Sequence, residues 1–178
     1  METPYIKGVL EIQTPKIEDE RGYFLSCFKE NNKFTKDIWS EKQISQVNIS
    51  FTKLKGSVRG LHFQKVPFSE YKIIRCIKGK VWDVAVDLRP YSETYKKWIA
   101  YELCEKKSNA LIIPDGCAHG FQTLLNNCEL LYLHSKNYAP NYESGIRWND
   151  PSLNINWPLN VTVVSSRDKT LPLLKDDI

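Results

Sequence analysis

The chain has 178 residues, a formal net charge of +4 and 26% charged residues, so it reads as one globular domain and neither a disordered chain nor a massed-basic nucleic-acid binder. A chain this long buries about 70% of its unfolded surface and needs no disulfide or metal staple. Its five cysteines are scattered without a C-x-x-C, the N-terminus METPYIKGVLEIQT lacks a signal-peptide plan, and no apolar run reaches membrane-spanning length. These features predict a cytoplasmic protein with no membrane partner.

Residues 8–14 alternate as an edge strand that Pro15 stops. A turn at residues 20–22 precedes an aromatic strand running to Phe28. Asn32 then caps a predicted helix in which Phe34, Ile38 and Trp39 share a face, ending near Lys42. Residues 44–51 (ISQVNISF) return to strand alternation. Residues 56–79 (GSVRGLHFQKVPFSEYKIIRCIKG) place His62, Gln64, Glu70, Lys72 and Arg75 on two short strands with glycine corners, which reads as the wall of a pocket. In residues 81–88 (VWDVAVDL), Trp82, Val84, Val86 and Leu88 read as the core face, and Asp83 and Asp87 lie on the opposite one.

After a polar loop at residues 91–97, another strand covers residues 98–103. Residues 111–113 lead into the turn Pro114-Asp115-Gly116. Residues 121–125 and 129–135 predict a hairpin around Asn126-Asn127, with Leu130, Tyr132 and His134 on one face. Residues 137–158, rich in Asn, Pro and aromatics, predict a long ordered loop folded over part of the domain, and residues 161–164 a last strand. Many short strands with frequent turns predict an all-β sandwich or jelly roll with few helical residues.

Of three histidines, His134 reads as a hydrogen-bonded structural residue. His62 and His119 each sit beside a glycine corner, in segments (GSVRGLHFQ and IIPDGCAHGF) that resemble the two cupin motifs, with Gln64 standing where the first motif usually has a second His. A metal would require His62, Glu70 and His119 as ligands; Gln64 is a poor substitute for imidazole, and no metal or cofactor is predicted. Without one, the same groups suit acid–base work. Imidazole is a natural base for a proton beside a carbonyl, and a cation must meet the enolate oxygen. Lys72 reads either as that cation or as a solvated edge-strand lysine, and Tyr132 either as an acid or as a core aromatic.

Eight segments in order resemble the dTDP-4-dehydrorhamnose 3,5-epimerase family: DERGYF, QVNIS, RGLHFQ, YKIIRCIKGKVWDVAVDLR, IIPDGCAHGFQTL, LLYLHSKNYAP, GIRWNDP and SSRDKTLP. The resemblance implies a cupin-type jelly-roll homodimer that works without metal or cofactor. Its substrate is a nucleotide-diphosphate sugar, in which it inverts carbons flanking the 4-keto group of a 4-keto-6-deoxy sugar during deoxysugar biosynthesis. His62 then matches the general base, Asp168 its carboxylate partner, Lys72 the enolate stabiliser and Tyr132 the acid on the opposite face. Arg59 and His119 match residues of the sugar–diphosphate site. Arg21 and Phe24 match the nucleotide-contacting segment, often across the dimer, and Gln46 and Asn48 match the pocket wall. Ser26 departs from the family's RGxFxExF glutamate, which makes GDP- or CDP-linked substrates credible beside dTDP ones. A ketoisomerase, an epimerase acting at one carbon only or on a heptose, and a non-catalytic sugar-nucleotide binder are the competing readings.

Overall fold

The computed structural model describes residues 5–29 and 43–174, so the helix expected from Asn32 to Lys42 lies outside the described residues. β-Branched and aromatic residues in period-2 runs form twelve short strands among the described residues: β1 (Leu10–Gln13), β2 (Ile17–Asp19), β3 (Gly22–Phe24), β4 (Gln46–Thr52), β5 (Val58–Gln64), β6 (Lys72–Lys78), β7 (Lys80–Asp87), β8 (Trp98–Cys104), β9 (Asn109–Ile113), β10 (Cys117–Thr123), β11 (Cys128–His134) and β12 (Glu143–Gly145). A single helical turn, α1 (Ser166–Lys169), follows.

Two five-stranded antiparallel sheets stack in the orders β1-β9-β6-β11-β4 and β12-β5-β10-β7-β8, and β2 pairs only with β3 as a separate ribbon. This is the expected cupin-type β-sandwich. The predicted hairpin around Asn126-Asn127 is not one: β10 and β11 belong to different sheets, and the chain crosses between them there. Asn127 adopts φ +57°, a conformation asparagine tolerates, so the local turn signal was sound while the pairing partner lay elsewhere. Residues 161–164 form no strand either. Only a single parallel bridge joins Val164 to Val58, because the chain here runs along the sheet edge toward α1.

The interior between the sheets holds Ile74, Leu111, Phe121 and Leu130 with Val81 and Ala85 from β7. The inward face of β7 is therefore the one that carries Asp83 and Asp87, the reverse of the expected orientation. Trp82, Val84 and Val86 point outward, yet they too are shielded, because residues 146–157 fold over them and pack Ile146, Leu153 and Trp157 against that face. Trp82 meets Trp98 and Trp157 edge-on at 5.7 and 5.6 Å, and the Trp98 indole N–H donates to the Leu153 carbonyl at 2.9 Å. The long loop thus makes a second core. Burial on both faces is what hid the orientation, since alternation identifies a core face only when the other face meets water.

A fully buried carboxylate must be satisfied, and Asp87 is. It accepts from the Arg89 guanidinium at 2.8 Å and from the Ser92 and Thr94 hydroxyls at 2.6 Å each. Burial alone would raise its pKa, but these donors outweigh burial and hold it at about 2 against an ordinary 3.8. A depressed carboxylate stabilises the fold above the unfolded pKa, and that stability is lost as pH falls through the folded value. Asp87→Asn is expected to cost about 2 kcal/mol at neutral pH, with the difference from wild type shrinking between about pH 4 and pH 2. Urea denaturation of both proteins across that range checks it; a difference independent of pH would refute it.

Candidate active site

One end of the sandwich is polar and opens as a cavity of about 560 Å³. The period-2 rule builds its walls. β5 and β10 supply His62 and His119 from one sheet, while β6, β11 and β4 supply Lys72, Tyr132, His134, Asn48 and Ser50 from the other. His62 and His119 are directly opposite in the β5–β10 ladder. That closeness depends on Gly60: at φ +123°, a Cβ there would lie 2.6 Å from the Gly120 Cα.

All three histidines of the chain line this cavity, and each is paired with a carboxylate. His62 Nε2 lies 2.8 Å from Asp168 Oδ1, and Asp168 Oδ2 accepts the Gly60 N–H at 3.0 Å. Asp168 is held in α1, whose N-cap Ser165 Oγ accepts the Asp168 N–H at 3.0 Å. Burial alone would raise the Asp168 carboxyl, but the His62 and Gly60 donors hold it below its ordinary value. A carboxylate only accepts, so Nε2 carries the His62 proton and Nδ1 is left as the basic nitrogen. His119 Nε2 sits 2.9 and 3.0 Å from the two oxygens of Asp83, which is wholly buried and whose carboxyl burial pushes upward despite the imidazole. His134 Nδ1 lies 3.0 Å from Glu70 Oε2, and the other oxygen of Glu70 is 3.4 Å from the Lys72 ammonium. His134 is hydrogen-bonded, as expected, and it also lines the cavity. The three donors weighed for a metal are divided among three separate pairs. Gln64 is also committed, since its amide binds the Phe68 and Asn137 carbonyls and the Ala139 N–H.

Tyr132 reaches the cavity from the apolar core, with its ring 6.1 Å from that of His119 and its hydroxyl 3.2 Å from Ser50 Oγ. Burial pushes its phenol well above the ordinary value, so at neutral pH it is a proton donor. Arg59 stands at the rim, held by Thr52 Oγ1 and the Phe51 carbonyl at 2.9 Å each, and also lines an adjoining cavity of about 420 Å³ with Lys53 and Arg167. Gln46 and Asn48 are joined by a 3.0 Å hydrogen bond, and Asn48 continues to His134 Nε2 at 3.3 Å.

Arg21 and Phe24 are not brought to the cavity of their own chain. They sit on the exposed β2–β3 ribbon, where Arg21 pairs with Asp19. Sequence reasoning missed Asp83, Ser50, Tyr138 and Glu143 as cavity or partner residues. For Asp83 a signal existed, because a carboxylate inside an alternating apolar strand requires a buried partner, and the chain has only three histidines to offer.

The family model described as dTDP-4-dehydrorhamnose 3,5-epimerase matches residues 3–176. A dTDP-4-dehydrorhamnose 3,5-epimerase of Sinorhizobium fredii is 39% identical over 95% of this chain and 86% of its own. A dTDP-4-dehydrorhamnose 3-epimerase of Streptomyces niveus is 36% identical over 96% of this chain and 82% of its own. The crystal structure of a dTDP-4-dehydrorhamnose 3,5-epimerase of Bacillus anthracis with TDP and pyrophosphate bound superposes with a TM-score of 0.89 at 33% identity, covering 97% of this chain and 99% of that one. With similarity of this extent added to the ordered motifs, the chain belongs to the dTDP-4-dehydrorhamnose 3,5-epimerase family.

Proposed function

We propose that this protein is an epimerase that inverts C3, C5 or both in a nucleotide-linked 4-keto-6-deoxy sugar, by proton removal and return beside the ketone. The observation that carries this reading is a base and an acid of opposite character lining one cavity from two facing sheets. His62, with Nδ1 free of its proton, takes the proton from the carbon next to the ketone. The Lys72 ammonium meets the charge that develops on the ketone oxygen. Tyr132, kept protonated by burial, delivers a proton to the other face of the planar enolate, which inverts the carbon. Every group here is supplied by the chain, so the chemistry is written without a metal. Arg59, at the rim between the two cavities, suits the diphosphate because its fork can hold two oxygens at once. The relatives' names give a thymidine nucleotide, and dTDP-linked sugar is the first substrate to assay, with CDP- and GDP-linked forms beside it because Ser26 stands in place of the glutamate.

The protein acts as a homodimer in this reading. Val47, Ile49 and Phe51 on the outer face of edge strand β4 are 55, 64 and 51% exposed, and Ile17 and Phe24 on the β2–β3 ribbon are 69 and 67% exposed. So much apolar surface on an edge strand and a free ribbon favours burial against a second copy, with Arg21 and Phe24 directed to the partner's cavity. Sedimentation is expected to give a dimer mass, and Arg21→Ala to raise KM for the nucleotide sugar. A monomer with undiminished activity on dilution would refute the pairing.

The two proton-handling residues should fail differently in deuterated water, with each ring position read by NMR. His62→Ala is expected to lose deuterium wash-in and inversion together, by roughly 10²–10⁴-fold, the usual worth of a positioned base. Tyr132→Phe keeps the base, so it should wash deuterium in with retained configuration and give little epimer. Inversion at the normal rate in either variant removes that residue from the mechanism. The carbon that exchanges also separates a C3-only, a C5-only and a dual epimerase.

Exhaustive treatment with a chelator is expected to leave turnover unchanged. Loss restored by one divalent ion would overturn the metal-free reading.

A further inference from the structure

Glu70, Lys72 and His134 form a connected unit, of which the proposed chemistry above uses Lys72 alone. Their side chains are only 7, 10 and 12% exposed, so water competes weakly for their charges. Lys72 Nζ makes two long contacts, 3.4 Å to Glu70 Oε1 and 3.5 Å to the His62 carbonyl. Both exceed the roughly 2.7–2.9 Å of a tight charge-assisted bond. Glu70 makes its shorter bond, 3.0 Å, to His134 Nδ1. The carboxylate's closest hydrogen bond therefore goes to the imidazole, and the ammonium is left loosely held.

The direction of the hydrogen bonds that reach His134 is set from one backbone donor. The Tyr138 N–H can only donate, and it donates to Gln46 Oε1 at 2.7 Å. The Gln46 amide nitrogen then donates to Asn48 Oδ1 at 3.0 Å, and the Asn48 amide nitrogen to His134 Nε2 at 3.3 Å. Nε2 is consequently the acceptor and Nδ1–H the donor, aimed at Glu70. The His134 ring is further aligned by stacking with Tyr132, with centroids 6.0 Å apart and planes 15° from parallel.

We infer that His134, acting through Glu70, is a positioning residue for Lys72: it occupies one oxygen of the shielded carboxylate so that the ammonium is not drawn into a full ion pair and stays available to the developing enolate oxygen. Without the Nδ1–H, Glu70 keeps its charge with Lys72 as its one remaining partner among the described residues, and it tightens on that ammonium at the expense of the substrate. Gln46 and Asn48 belong to the same device, because they set the tautomer. The inference rests on the reading of Lys72 as the group that meets the enolate.

Deuterium wash-in and turnover at saturating dTDP-4-keto-6-deoxy-glucose, measured in otherwise unaltered full-length protein, test it. Losing one oxyanion donor outright costs about 10²–10³-fold, so His134→Leu, which diverts that donor, is expected to slow wash-in by about 10-fold or more with KM within about twofold. Adding Glu70→Gln to His134→Leu should recover much of that loss, because a neutral amide has no charge with which to hold Lys72. His134→Asn carries an amide N–H near the Nδ1 position and should retain most activity, whereas His134→Gln, whose amide reaches toward the Nε2 position, should not. That pair decides the matter if His134→Leu does not fold. Lys72→Met, measured in parallel, separates the two levels. Exchange lost in Lys72→Met but normal in His134→Leu or His134→Gln overturns this inference alone. Exchange retained in Lys72→Met overturns it together with the role of Lys72. A double variant no faster than His134→Leu leaves His134 as packing and also overturns it.

Discussion

A charge placed between two stacked sheets must find a partner, and the polar end of this molecule is organised by that requirement. The inner faces of the sandwich are apolar over most of their length, with Phe121, Leu130 and Ile74 in contact, and they turn polar where β5, β6, β10 and β11 reach the open end. There three imidazoles each take a carboxylate: His62 with Asp168, His119 with Asp83, His134 with Glu70. Each pairing fixes a ring, and through the ring it fixes which nitrogen carries a proton. Orientation in this site is thus a consequence of burial. The same carboxylates exposed on a surface would leave rings and amides free to turn.

The three pairs differ in what surrounds them, and the differences suit distinct work. Asp168 has two strong donors, remains ionised and leaves His62 a basic nitrogen. Asp83 is wholly buried with the imidazole of His119 as its partner, a setting that favours a fixed wall. Glu70 is shared between an imidazole and an ammonium, bridging His134 and Lys72. Tyr132 stands among them with its hydroxyl at the boundary of the apolar core, where burial keeps it protonated. Imidazole, phenol and ammonium therefore draw their character from the depth at which each strand presents them.

Apolar clusters lie on both sides of the second sheet. Residues 146–157 cover Val84, Val86 and Trp82 from outside, and the same C-terminal region continues into α1, which delivers Asp168 to His62. Stability and the site are coupled here through one stretch of chain. A change that loosens Trp157 or Leu153 from the sheet acts on the segment that leads to Asp168.

Much was legible in the residues alone. Period-2 runs bounded by Gly, Pro and Asn specified an all-β sandwich, and the glycine corners around His62 and His119 marked both as cavity residues, because few backbones approach so closely without glycine. The alternation of residues 130–134 placed Tyr132 and His134 on one face, as the structure has them. What the sequence could not determine was which strands meet. A turn at Asn126-Asn127 looks the same whether the next strand pairs back or crosses to the other sheet, because turn chemistry is local and sheet membership is not. An alternating strand such as 81–88 declares two faces but not which one is inward when both are covered, so Asp83 read as lying opposite the core face. The pairs His119–Asp83, His134–Glu70 and His62–Asp168 span 36, 64 and 106 residues of chain. Residue types and their faces are fixed by local chemistry, and the sequence settled those. Which charge neutralises which is fixed by distances between strands remote in the chain, and only the packed sheets decided that.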